Sequence, residues 1–314
     1  MYWFFGILGG LVLILLFVGA YFFKVAICRA KNIGDVCDVM PSKNTAWYHN
    51  YDYIMDNIKA LKTHPRQEIV SIKAYDGLTL KARLYLTSDA PEKFIVFFHG
   101  WHSTGFNDGA VITRYYVDKG YNVLLVDQRA RGMSEGKYTC FGIKERYDVL
   151  AWANYLNDRF GQDKIRLILE GISMGAASVM MSTSLELPDN VVGLLLDCGF
   201  TSPYEQFSHI IKNRMHLPEF PLLNVFSLYC KIFAGFDIKA CDTRECLAKW
   251  NKPIAMIHGG RDDFVPTEMS RQNLEVAAGD KDLLIIPDAR HGTAFLHDKE
   301  TVLRFLDNFL EKTL

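Results

Sequence analysis

Gly171-Ile172-Ser173-Met174-Gly175 sets a serine between two glycines, each two positions away. The five residues follow a short apolar run over 165–169 and lead into a helical pattern over 174–186. A serine at so tight a strand-to-helix turn is held in a strained conformation with its hydroxyl exposed. Side chains at 171 and 175 would collide with neighbouring backbone, and glycine removes that clash. The chemistry this arrangement suits is nucleophilic attack on a carbonyl carbon. A serine hydroxyl is a weak nucleophile, so it needs a base, and the base needs a carboxylate to orient it.

Both partners are sought downstream. The apolar run 254–257 ends in His258-Gly259-Gly260-Arg261-Asp262-Asp263-Phe264-Val265-Pro266, and the run 283–286 leads into Pro287-Asp288-Ala289-Arg290-His291-Gly292. Each candidate lies just past the C-terminal end of a strand, where the active sites of open parallel sheets gather. His291 is the base candidate, with His297 as the alternative. Asp262 is the acid candidate, with Asp263 beside it as the alternative, and His258 reads as a brace for its loop. An oxyanion needs two backbone donors. One is the N–H of Met174, the residue after the nucleophile. The other is expected in the loop after 94–98, His99-Gly100-Trp101-His102-Ser103, where Gly100 lets the backbone turn in close and the Trp101 N–H is the candidate. His99 reads as structural, and His102 stays open between a pocket wall and solvent.

These residues need a scaffold. From about residue 66 the chain alternates strand-like and helix-like segments. Strand patterns at 69–74 and 78–86 bracket Asp76-Gly77, a hairpin turn signal. Continuous apolar runs follow at 94–98, 123–126, 165–169, 191–196, 254–257 and 283–286, as expected of parallel strands buried on both faces. Helical patterns lie between them, near 108–118, 143–160, 174–186, 268–278 and 298–312. The fold class is α/β: a mostly parallel, doubly wound sheet. Only the interval between 196 and 254 breaks the alternation. It carries two apolar helical patterns, near 203–215 and 221–234, and is expected to form a lid insertion over about 201–248.

Four blocks together resemble the α/β-hydrolase superfamily, in its serine-aminopeptidase/monoacylglycerol-lipase-like branch. They are His99-Gly100-Trp101, Asp127-Gln128-Arg129-Ala130-Arg131-Gly132-Met133-Ser134-Glu135-Gly136, the elbow at 171–175, and His258…Asp262…Pro266 followed by His291. The second block is similar to that superfamily's D-x-R-x-x-G-x-S-x-G loop. The chain also resembles small bacterial membrane-anchored hydrolases. The resemblance covers about 66–312. It implies Ser173 as nucleophile, His291 as base and Asp262 as acid, since Asp262 stands four residues before the proline of an H-G-x-x-D-x-x-V-P pattern. Arg290, before the histidine, departs from the glycine frequent there. Asp127 and Arg129 read as loop braces.

Ahead of this domain, residues 1–23 carry no charged side chain, so all 71 charges fall in the remaining 291 residues. Tyr2 to Phe23 would span about 33 Å as a helix, enough for a hydrocarbon core of about 30 Å. We expect a single-pass anchor over 1–23, a juxtamembrane linker over 24–65 with a helix near 51–62, and the catalytic domain over 66–314. Lys24, Arg29 and Lys31 follow the span, which by the positive-inside rule places the domain in the cytoplasm. Seven scattered cysteines without a CxxC fit free thiols in a reducing compartment. Cys198 and Cys230 read as buried packing.

With 35 basic and 36 acidic residues, the chain lacks the basic excess of a nucleic-acid binder. Its 49% hydrophobic content excludes a disordered tail. The expected activity is serine hydrolysis of a carboxylic ester through an acyl-enzyme, with no metal or organic cofactor called for. Apolar lid residues (Leu217, Phe220, Leu222, Leu223, Phe226) favour a lipophilic acyl group, or else simply pack the lid. A peptidase, amidase or thioesterase of the same fold, and a membrane-tethered interaction module, are the alternatives.

Overall fold

The structure, a computed structural model, describes residues 2–30, 43 and 45–314. Eight strands form one sheet: β1 (Gln67–Lys73), β2 (Thr79–Tyr85), β3 (Lys93–Phe98), β4 (Asn122–Asp127), β5 (Arg166–Ile172), β6 (Val191–Asp197), β7 (Ile254–Gly259) and β8 (Lys281–Ile286). Their order is β1-β2-β4-β3-β5-β6-β7-β8. β1 and β2 are antiparallel, β2 meets β4 antiparallel, and every pairing from β4 to β8 is parallel. The antiparallel pair is closed at Asp76-Gly77, where Gly77 takes φ 85° and so needs no Cβ penalty. The parallel strands read as unbroken apolar runs because both faces are covered; every residue of β4 and β7 is buried.

Among the described residues, twelve α-helices accompany the sheet: α1 (Tyr2–Ala26), α2 (Ala46–His49), α3 (Tyr51–Lys62), α4 (Gly105–Asp118), α5 (Glu145–Phe160), α6 (Met174–Ser182), α7 (Pro203–His209), α8 (Glu219–Tyr229), α9 (Thr243–Leu247), α10 (Thr267–Val276), α11 (Ala294–His297) and α12 (Lys299–Thr313). Strand alternation splits the core. Ile95, Phe97, Val123, Leu125 and Ile168 pack toward α3, α4 and α12. Phe94, Val96, Phe98, Leu124 and Leu167 pack toward α5, α6 and the lid. This is the α/β-hydrolase fold, with the lid built from α7, α8 and α9 between β6 and β7. α7 and α8 each end in a π-helical turn, over Ile210–Arg214 and Cys230–Ala234.

The loop after β4 is braced as expected. Arg129 grips Asp148 of α5 through Nε and Nη2, both at 2.7 Å, and reaches Asp76 of the hairpin at 2.7 Å. Asp127 accepts from the N–H groups of Gly105 and Met133, both at 2.9 Å.

The segment ahead of residue 66 differs from a plain linker. Ile54, Ile58 and Leu61, spaced by four and three, lie on one face of α3 and are fully buried beside Tyr85 and α4. The packed body therefore begins before 66. α1 also runs past the expected end at 23, through Lys24 to Ala26. It is the one helix among the described residues long and apolar enough to cross a membrane. Cys37 and most of the segment between α1 and α2 lie outside the described residues.

Candidate active site

Ser173 stands between β5 and α6 with φ 55° and ψ −115°, a conformation costly for any residue with a Cβ and held only by its surroundings. Gly175 and Gly171 permit it: a Cβ at 175 would run into the Phe98 carbonyl, and one at 171 into the Gly175 backbone. The Ser173 N–H donates to the Asp197 carbonyl at 2.7 Å, which ties the elbow to the end of β6.

His291, in the loop after β8, lies with Nε2 2.8 Å from Ser173 Oγ and Nδ1 2.6 Å from Asp262 Oδ2. Asp262, after β7, is gripped from several sides. Its Oδ1 accepts from the N–H groups of Phe264 and Val265, both at 2.9 Å. Its Oδ2 also lies 3.1 Å from His258 Nε2. Burial alone would raise the Asp262 carboxyl, but the hydrogen bonds with His258 and His291 and the Val265 N–H outweigh it and hold the group well below the usual carboxylate range. Asp263 instead points outward, its side chain 67% exposed and 3.8 Å from Arg214. His297 is exposed at the end of α11. His258 also contacts Ser270 Oγ at 2.7 Å and the Val265 carbonyl at 2.9 Å, so it braces the acid's loop.

The loop carrying Trp101 lies across from the elbow. Gly100 donates its N–H to Asp108 Oδ2 at 2.8 Å, and Ser103 Oγ donates to Asp108 Oδ1 at 2.5 Å. Asp108 thereby shapes the loop from α4; only proximity in the fold reveals it. His99 is buried, contacting the Gly100 carbonyl through Nδ1 and accepting the Gln128 N–H on Nε2; burial lowers its pKa to about 4, as suits a structural imidazole. His102 stacks on the Trp101 ring with centroids 3.8 Å apart. Among the described residues, the N–H groups of Trp101 and Met174 have no hydrogen-bond partner.

Behind Ser173 a cavity of about 530 Å³ descends between the sheet and α4 and α12. Phe97, Val111, Leu195, Ile257 and Leu306 make its wall apolar, and Trp47 of α2 joins them from the segment read as linker. Of the acids in the lining, Glu170 and Asp197 lie at its buried floor on β5 and β6. Glu170 accepts from Tyr116 Oη at 3.2 Å on Oε1, while its Oε2, like Oδ1 of Asp197, has no partner among the described residues. Burial raises Glu170 to about 8 and Asp197 to about 6. Glu170 directly follows the apolar run 165–169, and nothing in the sequence marks it as facing a cavity.

Cys198, buried as expected, sits against the site. Its Sγ and the ligating atoms of Asp262 and His291 lie within 4.8 Å of one another. Asp262 and His291 are already bonded to each other, and burial pushes the Cys198 thiol up, against the thiolate that a metal would need.

The Glu170 shift has a consequence for stability. Between its ordinary value of 4.5 and about 8, the unfolded chain releases the proton while the folded chain keeps it. The fold's preference for the protonated form is complete below 4.5 and is lost as pH rises through about 8, so stability from this group falls across that window. Glu170→Gln should flatten the decline of the melting temperature over it. Parallel wild-type and variant curves of thermal unfolding against pH would contradict the shift.

The chain and its fold are similar to known proteins. Residues 111–314 match the model of the prolyl oligopeptidase family, Peptidase_S9. The uncharacterised protein YqkD of Bacillus subtilis is 27% identical over 202 residues, 63% of this chain and 66% of that protein. Rv2307c of Mycobacterium tuberculosis is 27% identical over 194 residues, 62% of this chain and 61% of that protein. The chain thus spans just under two thirds of the length of these relatives. Among solved structures, the Pyrococcus furiosus esterase Pf2001 superposes with a TM-score of 0.63 at 24% identity, covering 79% of this chain and 91% of that one. Est1E of Butyrivibrio proteoclasticus, solved with ferulic acid, gives 0.61 at 21% identity, over 78% of this chain and 98% of that one. At these identities the likeness carries the fold. The chain belongs to the prolyl oligopeptidase family, within the α/β-hydrolase superfamily.

Proposed function

We propose that this protein is a serine hydrolase acting on a carboxylic ester with a lipophilic acyl group, through a Ser173–His291–Asp262 triad. The observation that carries the reading is the relay of 2.8 Å and 2.6 Å ending on a strained, glycine-flanked serine. With Nδ1 protonated toward Asp262, Nε2 of His291 is left to accept the Ser173 proton. Oγ attacks the carbonyl carbon, and the N–H groups of Met174 and Trp101 receive the oxyanion. His291 then protonates the leaving group, and water activated by the same imidazole hydrolyses the acyl-enzyme. The apolar cavity behind Ser173 supports a lipophilic acyl group.

The family match favours a second reading, hydrolysis of a peptide amide; a thioester suits the same chemistry. Acyl-chain profiling with p-nitrophenyl esters beside a peptide-amide panel separates these. We expect esters of medium or long chains to be preferred, and preference for amides would overturn the ester reading. A fluorophosphonate probe should label the folded protein; failure to label would favour an interaction module on a hydrolase fold.

α1 is read as a membrane anchor, supported by its length and apolarity. Lys24 and Arg29 at its C-terminal end support a cytoplasmic domain. Protease added to intact cells should leave the domain uncut; digestion without permeabilisation would reverse the orientation.

A further inference from the structure

α1 is 25 residues long, but only 2–14 of it stands free of the body. From Leu15 onward, Leu15, Val18, Gly19, Phe22, Phe23 and Ala26 make one stripe against the protein. Gly19 is where the helices touch: a side chain there would collide with Val225 of α8. Phe22 packs on Phe226 and Phe207, with ring centroids 4.8 and 5.9 Å away, and Tyr229 Oη donates to the Leu16 carbonyl at 3.3 Å.

This packing conflicts with a simple tether. The free 13 residues span about 20 Å at 1.5 Å per residue, short of a hydrocarbon core of about 30 Å. The missing depth, about 10 Å, must come from the half of α1 that is packed on the lid. Whatever covers that half enters the apolar layer with it.

The lid is suited to this. Beside the exposed Phe17 and Tyr21 of α1, it exposes Leu228, Ile232 and Phe233, each more than half accessible. Phe233 lies 5.9 Å from the Phe23 ring and stacks on Tyr229 at 5.6 Å, so helix and lid form one continuous apolar surface. Within α1 and residues 220–234 of the lid, the charged side chains are Lys24, in the last turn of α1, and Lys231, paired with Asp237 at 2.8 Å. Both are long side chains able to reach the headgroups. An apolar patch of this kind, rimmed by charge and continuous with a membrane helix, calls for lipid.

We propose that the outer face of the lid, around Leu228, Ile232 and Phe233, is seated in the bilayer together with the packed half of α1. The inference rests on the reading of α1 as a membrane anchor and deepens the substrate assignment. The last turn of α1 is joined to the catalytic loop, since the Trp101 indole N–H donates to the Ala26 carbonyl at 2.8 Å. Trp101 also lines the cavity of Ser173. A lid held in the bilayer therefore keeps that cavity beside the lipid surface, and the substrate class becomes an amphiphilic ester drawn from the membrane.

The test uses the full chain in phosphatidylcholine vesicles doped with an ether-linked phosphatidylcholine carrying a diazirine in one of its alkyl chains. After illumination, lipid adducts are mapped by mass spectrometry. Adducts are expected both within 2–14 and within 228–233. In Ile232→Lys/Phe233→Lys the lid adducts should be lost, with α1 still labelled and turnover of a short water-soluble ester unchanged. Adducts on α1 alone would overturn the lid's placement and leave the anchor standing. Adducts on neither would overturn the anchor as well. Where adducts fall on α1 alone and an amine crosslinker in the same vesicles joins two chains through Lys231, the face belongs to a second copy and the proposal is overturned.

Discussion

Ser173→Ala lowers kcat for ester hydrolysis by on the order of 10⁴–10⁶-fold, and abolishes fluorophosphonate labelling, if the proposed mechanism holds. The loss is large because the covalent route has no substitute. Without Oγ, His291 has no proton to take from a positioned nucleophile, and only substrate binding and the Met174 and Trp101 N–H groups remain to assist water. The fold should tolerate the change. The side chain's recorded hydrogen bond is to His291, while the elbow is held by the Ser173 N–H on the Asp197 carbonyl and by the glycines at 171 and 175. An unchanged melting temperature with vanished turnover is the expected pair of results. A folded Ser173→Ala protein with wild-type turnover would remove Ser173 from the mechanism.

Asp262→Asn carries the second-largest effect, a fall in kcat of about 10³–10⁴-fold. An asparagine that turns its amide nitrogen toward His291 Nδ1 forces the proton onto Nε2. The imidazole then faces Ser173 with a donor instead of a lone pair. Asp263→Asn is the control, since that side chain points to solvent 3.8 Å from Arg214; its kcat should stay within about twofold. Equal losses in the two variants would show that the relay does not discriminate between them. The charge also bears on stability. Because the folded state holds Asp262 below the ordinary carboxylate value, its contribution is present above that value and is lost as pH falls through the lower, folded one.

The parts legible in the sequence were those whose signals are local. The apolar runs at 94–98, 123–126 and 254–257 became β3, β4 and β7 because strands covered on both faces exclude polar residues along their whole length. Gly171 and Gly175 announced the elbow because the backbone collision they avoid arises within a few residues of the turn and from β3 beside it. Less legible was α3. Its buried stripe at 54, 58 and 61 sits in a helix polar on its other faces, so it resembles a solvated linker until α4 and Tyr85 are placed beside it. Asp108 and Trp47 had no signal at all. Each matters through what it touches, Asp108 through the Gly100 N–H and Trp47 through the cavity wall. From sequence α1 reads as separate from the domain, because apolar composition says that a helix avoids water, not what covers each face. The stripe from Leu15 to Ala26 and the Trp101–Ala26 hydrogen bond divide those faces.

By itself the sequence determined the strand–helix alternation, the elbow and the order serine, aspartate, histidine, because periodicity and turn chemistry act between neighbours. Only the tertiary structure decided which carboxylate meets the imidazole, which histidine meets the serine, and how α1 joins the loop of Trp101. Ser173 and His291 are 118 residues apart in the chain and Asp262 and His291 are 29 apart. Distances of 2.8 and 2.6 Å across such separations depend on how strands stack and loops pack, which spacing along the chain does not encode.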